Sequence, residues 1–184
     1  MLSNVNIRMA FMSGQLAIEN LHDKAIQPAS IDLHLGNQFI QVIARDRRFV
    51  LDPYVESDIK RGFDGKGEWE AGYILLPSEI LLAATERVTL GNELVGQVAG
   101  KSSLARLGLY IESAGFIDPG FDGPITLELY NVSPNSILLT PSMPICQLSL
   151  GRLDSPANPV YSGSYVGSTG PVVSKYWKSN KRPE

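Results

Sequence analysis

Seventeen glycines and twelve prolines are spread along the whole of this chain and cut its apolar residues into short runs. In a helix interior glycine costs about 1 kcal/mol and proline about 3 kcal/mol relative to alanine. A chain punctuated this densely is not built from long helices. Short apolar runs between turn residues are the pattern of many strands. The expected fold class is therefore all-β with short helices, a sandwich or jelly roll.

Periodicity fills in this outline. Residues 125–131 alternate strictly, with Ile125, Leu127 and Leu129 on one face and Thr126, Glu128 and Tyr130 on the other. Residues 31–35 alternate too and read as a strand ending at Gly36-Asn37. Further short strands are expected over 39–43, 49–51, 73–76, 80–85, 94–99, 137–140 and 145–150. Residues 5–13 predict a short helix with Val5, Met9 and Met12 on one face and Gly14 as its stop. Residues 102–107 predict one helical turn. The polar, glycine-rich stretch 58–70 reads as an exposed loop. No fixed repeat and no linker between two cores is visible. Residues 1–184 are thus expected to form one domain, with a helical segment over about 1–20 and a flexible tail, acting as a lid, over about 154–184.

Composition removes several function classes. A chain of 184 residues buries roughly 70% of its unfolded surface and needs no staples. One cysteine cannot form an internal disulfide, and one cysteine with two histidines cannot supply a closed four-ligand zinc site. A net charge of −3 argues against nucleic acid as a dedicated partner. The N-terminus lacks a basic stretch followed by an apolar one, and no apolar run approaches the ~20 residues that span a bilayer. A cytoplasmic protein with no membrane association is expected.

Four stretches could carry chemistry. Gly100-Lys101-Ser102-Ser103-Leu104-Ala105-Arg106 outlines a phosphate site, with hydroxyls, free N–H groups at a helix start and two cations. The plainer alternative is an ordinary helix cap beside a solvated basic side chain. Asp118, in Phe116-Ile117-Asp118-Pro119-Gly120, points inward from a strand end or shapes a turn. Glu128 is either a solvent-facing strand carboxylate or a proton shuttle in a site of limited water. Tyr165-Val166-Gly167-Ser168-Thr169-Gly170 is either a linker or a lid offering hydroxyls and N–H groups to phosphate. Cys146 and His34 read as structural, and His22 as exposed.

Taken in order, these stretches resemble the dCTP deaminase family, within the wider superfamily of homotrimeric dUTPases. Residues 100–109 are similar to the family's R-S-S-L-A-R-L-G-L block, and residues 114–131 to its A-x-x-I-D-P-G-(F/W)-x-G-x-I-x-L-E-x-x-N block. Residues 28–36 and 76–86 match as well, so the resemblance spans about 4–174. It implies a distorted jelly roll of the dUTPase-like, β-clip kind, a homotrimer, and active sites built between subunits. It also implies zinc-independent deamination of dCTP to dUTP. Glu128 would be the general acid/base, the water would be placed by Ser102 and the carbonyl of Ala114, and Arg106 would steady charge. Lys101, Ser103, Gln147, Tyr165, Ser168, Thr169 and Gly170 would contact substrate or phosphates. Mg2+ would ride on the triphosphate with no protein metal site, and dTTP is a candidate feedback inhibitor. The form of residues 114–121 is more like the dUMP-forming members, in which Asp118 would orient water for cleavage of dUTP to dUMP and pyrophosphate.

This chain departs from the family in two places. Lys101 replaces an arginine, which keeps charge but loses a two-pronged phosphate grip. The tail lacks the family's lysine and first glutamine, and Gly167-Ser168-Thr169-Gly170 is more similar to a dUTPase lid, with Val166 where that lid has its stacking phenylalanine. Two alternatives therefore stay open: a dUTPase-like hydrolase without deamination, and a non-catalytic nucleotide- or protein-binding relative.

Overall fold

The computed structural model describes residues 1–43, 46, 48–112 and 115–183. Its long strands are β2 (Ile31–Val42), β5 (Ile80–Leu90), β6 (Leu94–Gly100), β9 (Asp122–Asn131) and β11 (Pro144–Arg152). Shorter ones are β1 (Leu16–Ile18), β3 (Phe63–Glu68), β4 (Tyr73–Leu75), β7 (Leu109–Glu112), β8 (Phe116–Ile117) and β10 (Ile137–Leu139). The helices are α1 (Asn4–Met12), α2 (Glu56–Arg61), α3 (Ser102–Ala105) and α4 (Tyr176–Ser179). One antiparallel sheet runs in the order β7-β9-β5-β2-β11-β6-β8, with β1 added on β5 and β3 on β2, while β10 and β4 pair separately. The expected mainly-β class holds.

β2 joins the two halves of this sheet. Ile31 to His34 pair with β11, and Leu35 onward pairs with β5. The register shifts between Leu35 and Phe39, which marks a bulge where the strand turns from one half to the other. Gly36 sits in that bulge, and a Cβ there would lie 3.1 Å from the Ala84 carbonyl oxygen. Gly36-Asn37 is therefore a bend inside a strand, not the strand end expected from glycine alone.

The core lies inside the curl. Ile31, Leu33, Phe39, Leu81, Leu127, Leu129 and Leu148 are fully buried within it. The alternation in β9 is as expected, with Ile125, Leu127 and Leu129 inward and Thr126, Glu128 and Tyr130 half-buried on the other face. Cys146 is buried in this core, and burial, with the nearby Glu86 charge, pushes its thiol up to about 12.

Three local expectations are corrected. α1 forms, but it buries Ile7 and Ala10, while Val5, Met9 and Met12 are exposed. Residues 49–51 form no strand, and 58–70 is not a loop but the end of α2 followed by β3. β3 pairs through its backbone with the second half of β2, so its polar side chains did not signal it. The tail from 154 carries α4 and several backbone bonds to the body of the protein.

Asn131 closes β9. It is fully buried, its Nδ2 donates to the carbonyls of Leu75 (3.1 Å) and Asn135 (2.8 Å), and its Oδ1 accepts from the Ser133 N–H (2.9 Å). Asn131→Ala strands these groups and should destabilise by about 2–3 kcal/mol, read as a lower thermal midpoint at fixed protein concentration. Cys146 should resist iodoacetamide at pH 8 in the native protein and react once the chain is unfolded in urea. Labelling of the native thiol at the unfolded rate would contradict its burial.

Candidate active site

The outer face of β9 is the floor of a cavity of about 430 Å³. Thr126 and Glu128 lie on this floor, and Leu82, paired with Glu128 across the ladder to β5, supplies an apolar neighbour. Phe63 on β3 adds an aromatic wall. Alternation explains the placement: the register that buries Leu127 and Leu129 turns Glu128 into the cavity.

Asp118 lines the same cavity from the turn between β8 and β9. The Phe121 N–H donates to the Asp118 carbonyl at 3.1 Å, closing that turn. Gly120 has φ +85°, and a Cβ on it would meet Val160 at 2.6 Å. Glycine thus permits both the left-handed turn and the close passage of the tail.

The tail follows β9 closely. The Tyr161 N–H donates to the Pro119 carbonyl (2.8 Å) and the Gly167 N–H to the Asp122 carbonyl (2.7 Å). The Val172 N–H donates to Thr126 Oγ1 (3.2 Å). These contacts bring Tyr161, Tyr165, Ser168 and Val172 to the cavity wall. Lys175 fastens the far end of this loop, with Nζ donating to the Ser164 carbonyl at 2.6 Å. The aromatic-walled, partly closed space with carboxylates from two elements suits a planar base carrying a polar edge.

A second polar group lies outside the cavity lining. Lys101 Nζ is 2.7 Å from Asp32 Oδ1, with both side chains largely buried. Gln147 Nε2 donates to Asp32 Oδ1 and Gln27 Nε2 to Asp32 Oδ2, each at 3.3 Å. Beside it, Glu86 holds His34 through its backbone N–H (2.8 Å) and its ring Nδ1 (2.6 Å), the structural role expected for this histidine. On α3, Arg106 Nη1 donates to Ser102 Oγ at 3.4 Å, and both residues are exposed.

Of the residues singled out from sequence, Glu128, Asp118, Tyr165 and Ser168 share the cavity. Lys101 and Gln147 share the Asp32 cluster, and Ser102, Ser103 and Arg106 sit together on and beside α3. Thr169 is exposed, and Gly170 is buried against Gln38. Ala114 lies outside the described residues. Thr126, Phe63 and Val172 of the cavity, and Asp32 of the second cluster, were missed. A threonine on the same face as Glu128 was the one legible signal among them.

Residues 1–153 match the family model described as dCTP deaminase-like. The chain is 45% identical over 186 residues to a Mycolicibacterium gilvum protein named "dCTP deaminase, dUMP-forming", covering 97% of both chains. It is 43% identical over 190 residues to the Acidothermus cellulolyticus protein of the same name, covering 99% of this chain and 98% of that one. Its fold is similar to the solved 2'-deoxycytidine 5'-triphosphate deaminase from Agrobacterium tumefaciens, with a TM-score of 0.64 at 23% identity, over 83% of this chain and 47% of that chain. Matched along nearly its full length, the chain belongs to the dCTP deaminase-like family.

Proposed function

We propose that this chain is an enzyme that converts dCTP to dUMP, releasing ammonia from the base and pyrophosphate from the triphosphate at one site. The observation that carries this reading is Glu128, a carboxylate on the floor of a cavity walled by apolar and aromatic side chains. Water adds to C4 of cytosine while Glu128 takes a proton from it. Glu128 passes this proton to N3, then takes the proton of the added C4 hydroxyl and gives it to the amino group, so that the C4–N bond breaks and ammonia leaves a carbonyl behind. Asp118, on another wall of the same cavity, orients a second water toward the α-phosphorus, and the bond to the β-phosphate breaks. The name that both relatives carry, "dCTP deaminase, dUMP-forming", supports the second step. Mg2+ enters on the triphosphate as part of the substrate. dTTP, which shares the sugar and triphosphate, is the proposed feedback ligand, and the cytoplasm the proposed compartment.

A homotrimer completes the site in this reading. Ser102, Ser103 and Arg106 lie on an exposed helical turn outside the cavity of their own chain, and they would serve the cavity of a neighbour. Phe116, 61% exposed, borders both the cavity and a shallow apolar groove formed with Met1 and Val95. An apolar rim of this kind beside a site supports a contact between chains.

Glu128→Gln should reduce ammonia release from dCTP by more than about 100-fold while dCTP binding is kept, because the amide preserves shape and cannot carry a proton. Retained deamination would remove Glu128 from the mechanism. Asp118→Asn should stop pyrophosphate release and leave deamination running, so that dUTP accumulates. Loss of both steps together would contradict separate roles for the two carboxylates.

A further inference from the structure

We infer that Arg87 and Asp122 are positioning residues whose ion pair seats the tail turn Gly167-Ser168, so that the Ser168 hydroxyl donates to an anionic oxygen of the bound nucleotide. The inference rests on the dCTP reading for the identity of the ligand, and on the following geometry for the rest.

Arg87, on β5, grips Asp122, the first residue of β9, with two prongs. Its Nε donates to Oδ1 at 2.9 Å and its Nη2 to Oδ2 at 2.6 Å. Thr89 Oγ1 donates to the same Oδ1 at 2.8 Å. This planar fork fixes the guanidinium in one orientation, and the arginine holds the Asp122 carboxyl below the usual carboxylate range. The remaining nitrogen, Nη1, points to the Ser168 carbonyl at 3.5 Å. On its backbone side, Asp122 accepts the Gly167 N–H at 2.7 Å. The tail turn is thus held from two directions by one pair of side chains and one carbonyl.

Gly123 sets how close the turn can come. A Cβ at this position would lie 3.0 Å from Ser168 Oγ and 3.7 Å from Ser168 N. Ser168 Oγ is buried, lines the cavity and has no hydrogen-bond partner among the described residues. A buried hydroxyl left unsatisfied is costly, and a structure that holds one in place points to a partner supplied from outside the chain. The cavity beside it is where that partner would arrive. Arg87 does not line the cavity, so it acts through Ser168.

The test uses the full-length protein, hydrogen exchange of the ligand-free chain and steady-state kinetics with dCTP and Mg2+. Arg87→Gln and, as an isosteric alternative that keeps the packing, Asp122→Asn should each speed exchange across 165–170 while leaving the β9 amides protected. Each should raise KM for dCTP by about tenfold with kcat changed less than about twofold. Ser168→Ala should raise KM similarly, and adding it to Arg87→Gln should add little further, because the hydroxyl is already displaced. Unchanged exchange and unchanged KM in whichever of the two clamp variants folds would overturn the inference. So would effects of Arg87→Gln and Ser168→Ala that multiply. The exchange measurement needs no substrate. A tail released by these variants in a protein that never turns over dCTP would fault the functional reading and leave the clamp standing.

Discussion

The two-residue alternation of β9 is the constraint on which the rest of this structure depends. β9 lies between β5 and β7. Its inward residues complete the core, and its outward residues make the floor of the cavity. Shifting the strand by one residue would bury Glu128 and put Leu127 in the cavity, at a high cost in desolvated charge. The burial of leucines therefore fixes where a carboxylate must point, so stability and chemistry rest on the same register. Asn131 locks one end of the strand by three hydrogen bonds, and the Arg87–Asp122 pair locks the other.

The parts legible in the sequence were those decided by side-chain pattern over a few residues. The apolar rhythm of β9, the glycine-proline punctuation and the buried Cys146 belong to this group. β3 was illegible because its pairing with β2 is made by backbone groups, and after Phe63 it reads Asp-Gly-Lys-Gly-Glu, with no apolar alternation to mark a strand. The buried face of α1 was misread because it is set by Ile7 and Ala10 meeting the core, not by the larger Met9 and Met12. Gly36 was read as a stop because a bulge and a strand end share the same residue signal.

The site divides along the same line. Glu128 and Asp118 were found from short motifs and do share one cavity. Arg87 and Asp122 were not, because their contact joins residues 35 apart through the β5–β9 ladder. The family's basic block divides further: Lys101 turns to Asp32, whereas Ser102 and Arg106 turn outward on α3. A motif that is continuous in sequence thus faces two environments within one chain. Where the resemblance places a lysine and a first glutamine, this tail has Ser164 and Val166, and its seat beside β9 is built instead from backbone contacts of Tyr161 and Gly167.

In the proposed reaction one cavity handles both the base and the triphosphate. Incubation of the purified protein with Mg2+ and dCTP, resolving ammonia, dUTP, dUMP and pyrophosphate over time, tests it most directly. Ammonia, dUMP and pyrophosphate should form in equal amounts, with little free dUTP. Formation of dUMP from added dUTP with no ammonia from dCTP would contradict it.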